Sequence, residues 1–225
     1  MELLVFGHAG ARVLVFPTRE GRFYDYEDWG LVRALEETIE AGNIQLYCLD
    51  SVDSEALYCR NCPPRVRLAR HSQYEQYVLQ EVLPLTSGNP HPFLIAHGCS
   101  IGAFHATNIA LRRPELFQRI VALSGRYDLT QSAGIFPNLF DGYYSDELYF
   151  NTPNHFVPGL TDESVLSLMR RMDIVLTVGE DDPFRGSTEL LSEALWRKGV
   201  GNHLAIWPGE AHRARCWREM VKQYL

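Results

Sequence analysis

Lysine is nearly missing: of the 21 basic side chains in 225 residues, only Lys198 and Lys222 are lysines. The arginines are spread along the chain and outnumbered, since 28 Asp and Glu leave a formal charge of −7. A mildly acidic chain without a basic patch carries no electrostatic footprint for nucleic acid or an anionic membrane surface. Long apolar runs are missing too, and none reaches the roughly 18 residues that a bilayer-spanning helix needs. Met1 to His8 holds no basic stretch, no long apolar core and no small-residue cleavage site, so no signal peptide is expected and the expected location is the cytoplasm. Cysteine is sparse. Cys48, Cys59, Cys62, Cys99 and Cys216 are odd in number and scattered, which argues against a disulfide framework and fits a reduced compartment. Cys59 and Cys62 have C-x-x-C spacing, yet no second pair completes a zinc site, and the run into Pro63-Pro64 speaks against a helix-opening redox motif.

What is present is an ordinary globular mixture, 46% apolar and 12% aromatic, in a length that suits a single domain over residues 1–225. Short β-branched runs alternate with helical spacing. Leu3–Phe6 and Val13–Phe16, separated by Gly7 to Gly10, read as a hairpin. Helical spacing covers Asp28 to about Glu40, with Trp29, Leu31, Val32, Leu35 and Ile39, and again Tyr74 to Val82. Strands are expected at Ile44–Leu49, Phe93–Ala96, Ile120–Leu123, Ile174–Val178 and Leu204–Trp207. Helices are expected at Ala103–Arg112, Thr188–Arg197 and Arg213–Leu225. This order predicts an α/β three-layer sandwich around a mostly parallel sheet with an N-terminal antiparallel hairpin. About 126–159 breaks the alternation with Tyr127, Phe136, Phe140, Tyr143, Tyr144, Tyr149, Phe150 and Phe156. It reads as an insertion over the C-terminal edge of the sheet, where open α/β sheets bind ligands.

Gly98-Cys99-Ser100-Ile101-Gly102 matches G-x-S-x-G. A buried strand leads in and a helix with small residues leads out, the setting of a nucleophile elbow, a turn too sharp to leave room for side chains at the glycines. A serine hydroxyl needs a general base and a carboxylate to orient it. Both follow in the order expected after later strands: Gly179-Glu180-Asp181-Asp182-Pro183 and Pro208-Gly209-Glu210-Ala211-His212. His212 is the expected base, since His203 would lie at the opposite edge and His97 and His105 suit packing or hydrogen-bonding roles. Asp182 is preferred to Asp181 as the acid, because the loop can turn back toward the histidine by that point. The backbone N–H groups of Ile101 and Arg19, with Thr18 in second place for the latter, are the expected oxyanion donors.

Gly98 to Ala106, Phe16-Pro17-Thr18-Arg19-Glu20-Gly21-Arg22-Phe23, Leu123-Ser124-Gly125-Arg126-Tyr127-Asp128 and Tyr149-Phe150-Asn151-Thr152-Pro153 together resemble the esterase family of α/β-hydrolases related to esterase D (S-formylglutathione hydrolase) and the mycolyltransferases. Asp25-Tyr26-Glu27-Asp28-Trp29 looks like the aromatic–acidic stretch after the oxyanion loop in the mycolyltransferases. The resemblance implies the α/β-hydrolase fold, hydrolysis of a carboxylic ester and a triad of Ser100, Asp182 and His212. One departure is the continuation after His212, Arg213-Ala214-Arg215-Cys216-Trp217, where relatives tend to have His-Asp-Trp.

These readings call for a small-molecule ester substrate and no metal or organic cofactor, and they leave self-association into a homo-oligomer open. Arg126, Arg185 and Arg213 are the arginines placed to favour an anionic group in a ring-lined pocket. Acyl transfer to an alcohol uses the same acyl-enzyme as hydrolysis, so the two share these residues. A catalytically silent binding module is the alternative from another class.

Overall fold

The computed structural model describes residues 1–225 and is built on a seven-stranded sheet of order β1-β3-β2-β4-β5-β6-β7. The strands are β1 (Leu3–Phe6), β2 (Ala11–Phe16), β3 (Ile44–Leu49), β4 (Leu94–Cys99), β5 (Arg119–Leu123), β6 (Asp173–Gly179) and β7 (His203–Trp207). All pairings are parallel except β1 with β3. The sheet is thus the expected mostly parallel one with an antiparallel pair at its N-terminal edge. That pair is not the hairpin read from the sequence, because β3 lies between β1 and β2. The glycines of the connection explain the difference. Gly7 and Gly10 both have positive φ, and a Cβ on Gly10 would stand 2.2 Å from the Asn43 carbonyl, so their turn accommodates the start of β3 instead of closing a two-stranded ribbon.

Helices cover both faces. Three short ones, α1 (Asp25–Asp28), α2 (Leu31–Ala34) and α3 (Glu36–Glu40), replace the single helix expected there. Gly30, at φ 73°, breaks the first junction. These turns and α11 (Ala214–Tyr224) cover one face through Tyr26, Leu31, Leu35, Trp217 and Met220. The other face packs under α4 (Pro64–Tyr77), the short α5 (Leu83–Leu85), α6 (Ile101–Arg112), α7 (Asp146–Phe150), α8 (Pro153–Gly159), α9 (Glu163–Met169) and α10 (Arg185–Arg197). Strand β2 shows how the sequence produces two cores. Leu14 and Phe16 enter one, Val13 and Val15 the other, as the two-residue period of a strand buried on both faces requires. No helix is long and apolar enough to cross a membrane.

Two cysteine expectations are corrected. Cys59 and Cys62 form a disulfide, leaving Cys48, Cys99 and Cys216 free. Pro64 does open a helix: it sits in the first turn of α4, where its missing N–H costs nothing and its fixed φ suits the helix.

The segment after β5 commits three of its eight aromatic residues fully to packing. Tyr127, Phe140 and Phe156 are buried, and Phe140 shares a small core with Leu57, Leu68, Ile101 and Phe104. That core ties the segment to the start of α6, and so to the C-terminal edge of the sheet.

Candidate active site

Ser100 joins β4 to α6 at φ 58° and ψ −122°, a conformation that L-residues avoid. The neighbouring glycines make the turn possible. A Cβ on Gly98 would stand 2.3 Å from the backbone of Gly102, and one on Gly102 would stand 2.3 Å from the Phe16 carbonyl oxygen. The Ser100 N–H donates to Leu123 O at 2.8 Å, which pins the turn to the neighbouring strand.

Two later loops converge on this serine. His212 Nδ1 lies 2.9 Å from Asp182 Oδ2, and its Nε2 lies 3.0 Å from Ser100 Oγ. A carboxylate only accepts, so Nδ1 carries the proton and the Nε2 lone pair faces the serine hydroxyl. The Asp182 side chain is fully shielded from solvent. Its other oxygen accepts from the Phe184 N–H at 2.9 Å, which fixes the carboxylate's direction. Gly179 lets the loops meet, because a Cβ there would stand 2.0 Å from the Glu210 carbonyl oxygen. Asp181 is engaged through its backbone, donating to Gly209 O at 2.9 Å.

Positive φ recurs along this edge at residues other than glycine: Glu20, Ser100, Ser124 and Ala211, at 50–58°. They lie at or just beyond the C-terminal ends of β2, β4, β5 and before His212. Ile101 opens α6, where a first-turn N–H has no acceptor within the helix. The amides of Thr18 and Arg19 donate to no backbone carbonyl.

The residues surround a cavity of about 290 Å³ lined by Thr18, Arg19, Ser100, Ile101, Arg126 and His212, with rings from Trp29, Tyr58, Phe136, Phe184 and Trp217. A larger cavity, about 600 Å³, lies between α6, α8 and α9 and includes none of these residues.

The Esterase family, described as "Putative esterase", has a sequence profile that matches residues 26–219. The chain belongs to this esterase family. Among solved structures, a ferulic acid esterase superposes with a TM-score of 0.73 at 16% identity, over 97% of this chain and 84% of the other. The S-formylglutathione hydrolase FrmB of Staphylococcus aureus gives 0.69 at 15% identity, over 97% and 80%. FphF, a fluorophosphonate-binding serine hydrolase of Staphylococcus aureus, gives 0.68 at 15% identity, over 98% and 89%. These likenesses show the α/β-hydrolase fold. No curated protein matches the sequence.

Three other histidines of the esterase, His97, His105 and His203, stand where the sequence suggested. His203 starts β7 at the opposite edge. His97 is buried with Nδ1 2.7 Å from Val121 O and Nε2 2.9 Å from the Tyr26 hydroxyl. The carbonyl must accept, so Nδ1–H donates to it and the Tyr26 O–H donates to Nε2. Burial pushes the His97 pKa down to about 4. His105 Nε2 faces Asp53 Oδ1 at 3.1 Å.

Two of the three arginines offered for an anionic group lie elsewhere. Arg185 pairs with Glu189 at 2.8 Å and Arg213 with Glu210 at 2.9 Å, and neither lines the cavity. Arg126 does. Sequence reasoning passed over Tyr58, Phe184 and Trp217 as site residues. The signals were proximity along the chain for Phe184, two residues after Asp182, and for Trp217, five after His212. Tyr58 had no such signal, since only the fold brings its turn to the serine.

Proposed function

We propose that this esterase cleaves a small-molecule carboxylic ester through an acyl-serine intermediate, with Ser100 as nucleophile, His212 as general base and Asp182 as the carboxylate that orients it. The observation carrying this reading is His212 bridging the other two, at 2.9 and 3.0 Å, with its free lone pair toward the serine. As Ser100 Oγ attacks the ester carbonyl, its proton passes to His212 Nε2, and Asp182 stabilises the imidazolium through Nδ1–H. The tetrahedral oxyanion forms beside the N–H groups of Ile101 and Arg19, both free to donate. Collapse expels the alcohol, which takes the proton from His212. Water then enters and gives a proton to the same nitrogen as its oxygen attacks the acyl carbon; the C–Oγ bond breaks, the proton returns from His212 to Ser100 Oγ, and the acid leaves.

Labelling with a fluorophosphonate probe, followed by peptide mapping, tests the assignment. The expected adduct is on Ser100, is absent in Ser100→Ala and is strongly slowed in His212→Ala. A folded wild-type protein that takes up no label, or a label on another serine, overturns it.

A further inference from the structure

Arg126 differs from every other arginine lining the cavity or pairing nearby. Its residue is only 3% exposed, yet it borders the cavity that holds Ser100 and His212. Nε donates to Asp128 O at 3.2 Å, and Nη2 donates to Gln131 O and Pro137 O, each at 2.7 Å. Nη1 reaches neither a carbonyl nor a carboxylate. The adjacent Asp128 carboxylate attracts the guanidinium through space but spends its hydrogen bonds elsewhere, accepting from Thr130 and from His155 Nε2–H at 3.2 Å. The guanidinium keeps its charge although burial lowers its pKa. A buried cation hydrogen-bonded to three carbonyls and to no carboxylate, with the Tyr58 hydroxyl and the Asp128 charge as its other support, is costly to the fold. Such a cost is repaid when an anion enters.

The cavity supplies the space for one. No acidic side chain lines it, and Arg19, whose guanidinium lies 5.8 Å from the Tyr58 ring centre, adds a second cation. Arg126 stands 5.7 Å from the Phe184 ring centre, and that ring lies 5.6 Å from the His212 imidazole. One aromatic ring therefore separates the cation from the base. Phe136, 4.9 Å from Phe184, extends the same wall.

We propose that Arg126 is the anion-binding group of this cavity, and that the ester cleaved at Ser100 carries a carboxylate on a flat, aromatic-sized body. The proposal rests on the Ser100 reading above for where the ester sits. The carboxylate takes the open side of the guanidinium, the flat body lies against Phe184 and Phe136, and the scissile carbonyl reaches Ser100.

Two substrate pairs test it, each differing in charge at one group: 4-carboxyphenyl acetate with 4-carbamoylphenyl acetate, and methyl 4-carboxybenzoate with methyl 4-carbamoylbenzoate. The first pair puts the carboxylate on the alcohol side, the second on the acyl side. The expected kcat/KM favours the carboxylate about tenfold or more in at least one pair, as a charge-assisted hydrogen bond to a shielded guanidinium predicts. Arg126→Gln should bring that ratio close to one, and Arg126→Lys should keep part of it. Arg126 also holds three backbone carbonyls, so if Arg126→Gln does not fold, the wild-type ratio decides. Equal kcat/KM within both pairs overturns the anion site and leaves hydrolysis standing. If none of the four is cleaved, the fluorophosphonate labelling above decides the hydrolase reading separately, and calorimetric binding of 4-acetamidobenzoate against 4-acetamidobenzamide decides the anion site. Carboxylate-selective binding supports it and equal or absent binding overturns it.

Discussion

Gly102 lies directly against the carbonyl of Phe16: a Cβ on it would stand 2.3 Å from that oxygen and 2.6 Å from the Pro17 oxygen. The contact holds the first turn of α6 against the end of β2, and so sets the Ile101 amide near the loop that carries Arg19. Both obstacles are backbone, which cannot swing aside. Gly102→Ala should therefore push α6 and the β2 loop apart, with a stability loss of about 1–3 kcal/mol. Denaturant unfolding reads that loss, and kcat on any ester accepted by the wild type should fall by more than the stability change accounts for.

Asp182→Asn keeps the shape of the carboxylate but offers an amide to His212. The Phe184 N–H on Oδ1 then favours the amide NH₂ facing Nδ1, which turns the imidazole to the tautomer with its proton toward Ser100. A fall in kcat of about 10²–10⁴ is expected, with little change in KM. A variant within threefold of wild type would remove Asp182 from the proposed triad.

Burial sets a pH dependence of stability. The pKa of His97 and that of His71 are each pushed down to about 4, in both cases chiefly by desolvation. Below about 6.5 the unfolded chain takes up protons that these buried rings refuse, so their contribution is complete above that pH and is lost as pH falls toward 4. Both ring nitrogens of His71 lack a hydrogen-bond partner, and the ring packs 5.9 Å from Phe104. His71→Phe should accordingly flatten the decline in denaturation midpoint between pH 6.5 and 4. An unchanged slope would show that His71 titrates normally in the fold.

The Cys59–Cys62 disulfide predicts a thiol count. Unfolded without reductant, the purified chain should expose three thiols, from Cys48, Cys99 and Cys216, and five after reduction. Five thiols before reduction would show that this pair is not joined in the isolated protein.

The parts of the site visible in the sequence are those where chemistry and backbone geometry both constrain the residue. Ser100 was legible because its turn excludes Cβ atoms at Gly98 and Gly102, and His212 because a strand end placed it at the right edge. Asp182 was separable from Asp181 only by how far the loop had turned. The cavity walls were less legible, since rings that pack and rings that face a ligand look alike in sequence. Phe140 and Tyr127 went to the core, whereas Phe184 and Trp217 face the cavity. Sheet pairing was legible in type but not in partner. Two strands and a glycine-rich connection suit a hairpin equally well whether or not a third strand enters between them, and only the return of the chain through α1 to α3 decides it.

The left-handed residues Glu20, Ser100, Ser124 and Ala211 give the molecule an uneven economy of conformation. Each is held where an L-side chain costs about 1–3 kcal/mol, and together they line the loops beside the serine. Heat resistance alone would favour glycine at Glu20, Ser124 and Ala211, releasing that strain. The same changes would widen the freedom of the backbone that presents His212 and the Arg19 amide. The chain thus trades resilience for aim at this edge, while the far end of the sheet, free of that demand, is where stabilising substitutions can accumulate without touching catalysis.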